Sequence, residues 1–157
     1  MTVVGIQGGN DAKRSELARV LLGALKARGQ SVSVIAYAGA SADIDIPGKD
    51  SYEHRRAGAS EVLAVSRLRW ALVHETPEED SAAHPDVNAL LARLAPVDFV
   101  LASGFTEKAA ITLDLATGGK SLHAACGGGP DAVFHLDMAG QIADFIVNAP
   151  AEKQPST

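Results

Sequence analysis

Two stretches of this chain carry residue types at spacings that could do chemistry. The first, Gly8-Gly9-Asn10-Asp11-Ala12-Lys13-Arg14-Ser15, has the layout of a phosphate-binding turn. A working loop of this kind reads glycine, four residues, then Gly-Lys-Ser/Thr. Its amides cradle phosphates, its lysine meets the β and γ oxygens, and its hydroxyl holds magnesium. Here the spacing from the first glycine to the lysine is one residue short, and Ala12 takes the place of the second glycine. Arg14 stands where the metal-binding hydroxyl belongs, and Asp11 adds negative charge where phosphates would sit. Together these departures argue against tight binding of a magnesium–nucleotide complex. Gly8, Gly9, Lys13 and Ser15 remain candidates for anion binding, because a helix N-terminus attracts anions whatever its sequence. The same residues read equally well as a plain strand-to-helix turn capped by Asn10 or Asp11.

The second stretch is the polar loop around Asp43, Asp45 and Asp50, three carboxylates that could gather round a metal. Capping of loop backbone is the commoner use of aspartates so placed. Two further segments imitate a phosphate loop without its spacing. Gly119-Lys120-Ser121 has Asp114 in place of the first glycine, and Gly48-Lys49-Asp50-Ser51 follows no strand. Cys126-Gly127-Gly128-Gly129-Pro130-Asp131 could form an anion nest or present a reactive thiol, but no spacing supplies a base for Cys126, which favours a flexible turn. The histidines at 54, 74, 84, 123 and 135 show no ligand spacing and read as scattered surface or core residues.

These residues need a scaffold. At 157 residues, 46% hydrophobic and 21% charged, the chain suits one domain with a real core, here residues 1–148, followed by a polar tail over 149–157 expected to be disordered. A net charge of −5 and a pI near 5.4 argue against a protein built to grip nucleic acid. The lone Cys126 rules out an internal disulfide framework. The N-terminus carries no signal-peptide pattern, and no apolar run is long enough to span a membrane. The cytoplasm is the expected compartment.

Hydrophobic periodicity places the elements. Val3 to Gln7 is a buried strand running into glycines, residues 14–28 a helix through Leu17, Val20, Leu21, Ala24 and Leu25, and Ser31 to Ala36 a second strand. That opening predicts an α/β fold, three layers with a mainly parallel sheet flanked by helices. Tyr37 to Lys49 is a loop too long for a simple connection. A short helix over Tyr52 to Gly58 precedes two closely spaced strands, Glu61 to Val65 and Arg69 to Val73, which should pair antiparallel. An acidic loop over 76–85 and a helix over Val87 to Leu94 follow. Strands are expected over Val97 to Ala102, Ile111 to Leu115 and near Ala132 to Leu136, with a last helix over Met138 to Val147.

Asp45-Ile46-Pro47-Gly48-Lys49-Asp50-Ser51, followed by His54-Arg55-Arg56-Ala57-Gly58-Ala59, resembles the signature of the MobB family, molybdopterin-guanine dinucleotide biosynthesis protein B. The similarity continues through Arg69-Trp70-Ala71-Leu72, Leu90 to Asp98 and Gly104-Phe105, weakens over 106–135, and returns in Ile142 to Ile146. The resemblance implies a P-loop NTPase fold, a homodimer, GTP as ligand, and assistance to the guanylyltransferase that makes molybdopterin guanine dinucleotide or delivery of that cofactor to molybdoenzymes. Carried over by position, it keeps Gly5, Gly8, Lys13 and Ser15 of the phosphate loop and Asp45, Pro47, Gly48, Lys49, Asp50 and Ser51 of the signature. On this likeness Lys49 with Arg55 and Arg56 could bind a pterin phosphate, or be solvated cations.

The departures from the family pattern fall on the chemistry. The acidic residue expected before Gly-Phe, where it serves magnesium, is Ser103, and the histidines often found upstream of the signature are replaced by Ala38-Gly39-Ala40-Ser41-Ala42. The basic residue that usually follows Gly-Phe is displaced to Lys108. Phosphoryl transfer depends on a metal and its holders, and both metal-handling positions are changed. The expectation is a non-hydrolysing accessory subunit with no catalytic residues and no metal ligands, binding a molybdopterin-type cofactor or GTP weakly, and not magnesium. Two alternatives stand beside it: a GTPase with an atypical loop, and a scaffold recruited into another pterin-related or one-carbon pathway.

Overall fold

The computed structural model describes residues 1–39, 42, 44–76, 85–118 and 120–150. Asp43, Gly119, most of the expected acidic loop and the tail from 151 lie outside the described residues. The chain divides into two compact units, Met1–Tyr37 with Asp86–Thr157, and Ala38–Pro85.

In the larger unit a six-stranded sheet is built from β1 (Thr2–Gly8), β2 (Val32–Ala36), β5 (Phe99–Ser103), β6 (Ile111–Leu115), β7 (Ser121–Cys126) and β8 (Ala132–His135). The order is β2-β5-β1-β6-β7-β8. The first four strands run parallel, and β7 and β8 add on antiparallel. Burial on both faces explains why β1 and β5 are continuous apolar runs. Val4 and Ile6 of β1 face one layer with Leu17, Leu21 and Leu25 of α1 (Asp11–Lys26) and Ile142 and Ile146 of α4 (Ala139–Asn148). Val3 and Ala102 face the other layer with Val87 of α3 (Val87–Leu91) and Phe105. The fold class is thus the α/β three-layer architecture expected, a mostly parallel sheet flanked by helices.

The strand over Ser121–Cys126 has no counterpart among the elements that periodicity places. Leu, His and Ala have little intrinsic preference for strands. The strand forms because Leu122 and Ala124 are buried against the shared core while Ser121 and His123 alternate outward. Elsewhere element ends move by one to three residues, the usual uncertainty at frayed termini. The first helix starts earlier than periodicity places it, because Asn10 caps it.

The smaller unit holds α2 (Asp50–Arg56) and an antiparallel pair, β3 (Glu61–Val65) and β4 (Trp70–His74), as the two close strands predicted. None of its described residues is fully buried.

Candidate functional site

In a parallel α/β sheet, ligands gather at the carboxyl ends of the strands. Here those ends bring together the turn after β1, the end of β5 and the end of β6. Gly8 and Gly9 both take left-handed backbone, with φ of +70° and +55°. A Cβ on Gly8 would collide with the Leu115 carbonyl oxygen and with Asp114 Oδ1, so β6 packs directly against this turn. Asn10 then caps α1: its Oδ1 accepts the Lys13 amide at 3.0 Å, and its carbonyl accepts the Arg14 amide at 3.0 Å.

The side chains of the turn are bonded to the protein itself. Arg14 Nη1 donates to the Gly8 carbonyl at 2.9 Å, and its Nη2 pairs with Asp11. Lys13 Nζ donates to the Gly118 carbonyl at 3.2 Å. Asp11 supplies at the positive end of α1 the negative charge that a bound phosphate would bring. Ser15 is exposed on the first turns of the same helix. Gly8 and Gly9 thus form the turn, and Lys13 and Ser15 lie on the first turns of α1. The turn is closed by Arg14 and capped by Asn10.

Two other strand ends complete the rim. Ser103 is buried at the end of β5, where its carbonyl accepts the Tyr37 amide at 3.0 Å. The next residue, Gly104, donates its amide to the Ile6 carbonyl at 2.9 Å. Asp114, on β6, faces Gln7 in register and accepts its amide at 2.9 Å through Oδ2. By spacing alone Asp114 is only an obstacle in a false motif, and its place beside the true turn goes unseen. A signal for it does exist: it is the one charged residue in Ile111-Thr112-Leu113-Asp114-Leu115, an otherwise alternating strand.

Magnesium prefers an octahedral shell of oxygens that includes carboxylates. The position that should offer a hydroxyl holds a guanidinium, the strand-end position holds a buried hydroxyl, and the nearby carboxylate of Asp114 is engaged by Gln7. That donor set does not fit a magnesium–triphosphate group. Among the described residues, no three of histidine, cysteine, aspartate and glutamate gather where one ion could be held.

The signature residues belong to the smaller unit and form a structure of their own. Ile46-Pro47-Gly48-Lys49 is a tight turn, closed by the Lys49 amide on the Ile46 carbonyl at 3.2 Å, with φ of +82° at Gly48. Proline followed by a left-handed glycine is the pattern of a type II turn. Asp45 stands before it with a side chain only 9% exposed. Its Oδ1 accepts the Ile46 amide at 2.9 Å and the Ser51 hydroxyl at 3.3 Å, while Oδ2 lies 3.6 Å from Arg55 Nε. Arg55 in turn reaches Glu75 Oε1 at 2.9 Å and lies over the Tyr52 ring, so one guanidinium ties the turn and α2 to the end of the hairpin. Asp45 is thus hydrogen-bonded to Ser51 across the turn that contains Gly48, and Lys49 and Asp50 are exposed. Arg56 donates to the Tyr52 hydroxyl at 3.3 Å, which pushes its pKa upward.

The remaining candidates resolve into local structure. Cys126 ends β7, and the Gly129 amide donates to its carbonyl at 3.3 Å, which makes the glycine run a turn into β8. His74, His123 and His135 each lie beside one carboxylate, of Glu61, Asp131 and Asp137. No helix among the described residues is long and apolar enough to cross a membrane.

Comparison with known proteins agrees with this geometry. The family model for molybdopterin guanine dinucleotide synthesis protein B matches residues 3–123. Two relatives bear the description molybdopterin-guanine dinucleotide biosynthesis adapter protein. The one from Escherichia coli K12 is 38% identical over 97 residues, 60% of this chain and 54% of that protein. The one from Haemophilus influenzae Rd is 33% identical over 106 residues, 68% and 58% of the two chains. The chain thus spans little more than half the length of these relatives. A crystal structure of molybdopterin-guanine biosynthesis protein B has the same fold, with a TM-score of 0.63 over 92% of this chain and 96% of that one, at 20% identity.

Proposed function

We propose, from the premise that this chain belongs to the MobB family, that it is an accessory protein of molybdenum-cofactor maturation which binds and adapts without turning over a nucleotide. The observation that carries this reading is Arg14. Its guanidinium spans the Gly8 carbonyl and the Asp11 carboxylate at the position that needs a metal-binding hydroxyl. With a guanidinium bonded to Gly8 and Asp11 in that position, the loop offers magnesium no hydroxyl ligand there. A weakly held GTP or a molybdopterin-type cofactor remains the ligand class to which Gly8, Gly9 and Lys13 are suited, through amides and one ammonium.

The partners proposed are a second copy of this chain and, beyond it, a guanylyltransferase or a molybdoenzyme that receives the cofactor. The cytoplasm is the compartment this reading assigns. Calorimetry of the full chain with GTP, with and without magnesium, tests it. The expected result is no magnesium-dependent binding. Micromolar, magnesium-dependent binding, accompanied by phosphate release that disappears in Lys13→Ala, would instead establish a working GTPase.

A further inference from the structure

The carboxylate of Asp114 has more hydrogen-bonding capacity than the fold uses. It is half-buried on β6, and among the described residues its bonded partner is the neutral amide of Gln7, whose Nε2 donates to Oδ2 at 2.9 Å. An ionised carboxylate only accepts, and has room for about four hydrogen bonds. The Gln7 nitrogen must therefore be the atom that faces it, and the second hydrogen of that amide group is left to donate elsewhere.

Register makes these side chains neighbours. Gln7 lies opposite Asp114 on the parallel pair β1–β6, and His123 lies opposite Asp114 on β7. Their chain neighbours Ile6, Leu113, Leu115 and Leu122 are buried in the layer that holds α1 and α4. Alternation along a strand then projects Gln7, Asp114 and His123 from the other face. The apolar cluster on that face gathers Val3, Ala102, Phe105 and Val87 and takes in no residue of β6 or β7. Around the polar row Thr112, Ser121 and Ala125 are half-buried, and His123 is exposed. Gln7 and Asp114 also sit near the carboxyl ends of their strands, where ligands of α/β sheets bind.

The pair thus offers two acceptors, from Asp114, beside one donor, from Gln7. A 2-amino-4-oxopyrimidine ring carries the matching edge: an amino group and a ring N–H that donate, then a carbonyl that accepts. Guanine and pterin share this edge. Hypoxanthine lacks its amino group. We propose that Gln7 and Asp114 form a recognition edge for the 2-amino-4-oxopyrimidine ring of a guanine or a pterin. The proposal rests on the ligand class put forward above and assigns the residues that read its ring.

Calorimetric titration of the full chain with guanosine, inosine and 6-hydroxymethylpterin, none of which carries phosphate, tests it. Guanosine or the pterin should bind at least about tenfold tighter than inosine, the discrimination expected for one hydrogen bond to a charged acceptor. Tight binding of guanosine alone makes the ring a nucleotide base, and of the pterin alone a pterin; either supports the site. Asp114→Asn keeps the shape and turns one acceptor into a donor. It should lose guanosine and favour xanthosine, in which a carbonyl replaces the amino group, an inversion that a merely structural tie between strands would not produce. If circular dichroism shows that variant unfolded, wild type decides alone. The imidazole proton signal of His123, identified by its loss in His123→Gln, should move as guanosine or the pterin is added, while that of His74 in the smaller unit stays in place. Guanosine and the pterin binding no tighter than inosine, or not at all, would overturn this inference. The function proposed above would survive that result, since it falls to magnesium-dependent GTP turnover instead.

Discussion

Replacing Gly8 with alanine tests whether the turn after β1 is as closely packed as the geometry indicates. Two costs arise there. An L side chain at φ +70° is disfavoured by about 1–2 kcal/mol. The added methyl must also displace both the Leu115 carbonyl and the Asp114 carboxylate, and overpacking of that kind costs about 1–3 kcal/mol. Part of this is offset by about 0.4–1 kcal/mol, because alanine restricts the unfolded chain. The net loss is roughly 3 kcal/mol. Gly29, just past the end of α1, is the control, with φ of +75° and open space where a methyl group would go. Gly29→Ala should carry only the backbone part, about 1 kcal/mol after the same offset. For a chain of this size the two variants should lower the melting temperature by roughly 6–12 °C and 2–4 °C. The assay is thermal and urea unfolding followed by the helical dichroism of α1 and α4. Equal losses in the two variants would refute the argument, because they would mean that β6 yields freely to the methyl group.

Other outcomes follow from the same structure. Leu21→Ala, at a fully buried position of α1, should cost about 2–5 kcal/mol in denaturant unfolding; a loss below about 1 kcal/mol would mean that the α1 layer is not packed as described. Asp98 is held below the ordinary carboxylate range by the Ser31 hydroxyl and amide, and Asp144 by the Arg28 guanidinium. A carboxylate whose folded pKa is depressed stabilises the fold above its unfolded value, near about 3.9, and that contribution is lost as pH falls through the folded value. Asp98→Asn and Asp144→Asn should therefore flatten the fall in stability below about pH 4 and leave the basic limb unchanged, as read by unfolding at stepped pH; an unchanged acid limb in both would count against these bonds. Arg55→Ala removes the cation that joins Asp45 to Glu75, so limited proteolysis should cleave the segment around residues 45–52 severalfold faster than in wild type. Unchanged cleavage would show that the signature turn stands without that tie.

Most of the scaffold is legible in the sequence because its elements advertise themselves by pattern. Leu17, Leu21 and Leu25 at helical spacing, and the apolar runs of β1 and β5, match what they bury. The turn at Gly8 is legible for the same reason, since strand, glycines and a capping asparagine occur in order. Two features are not. The strand Ser121–Cys126 is decided by its neighbours: Leu122 and Ala124 become strand residues only once β6 and β8 lie beside them. The use made of the signature is hidden as well. Aspartate, proline, glycine, serine and arginine could equally grip a ligand or one another, and the sequence cannot say that Asp45 lies within reach of Ser51 and Arg55. Asp114 escapes notice because its partner, Gln7, is 107 positions away.

The placing of β1 at the centre of the sheet also has a consequence for how the polypeptide is made. Val4 is flanked in the finished protein by Leu101 and Ile111, so neither neighbour exists until about a hundred further residues have been translated. At ordinary elongation rates of about 5–20 residues per second, that interval is roughly 5–20 s. Throughout it one of the most apolar strands of the chain has no edge to join, and α1 is the first element available to shield it. Sequence changes that weaken this early helix should therefore reduce the yield of folded protein in the cell more than their effect on equilibrium stability would suggest.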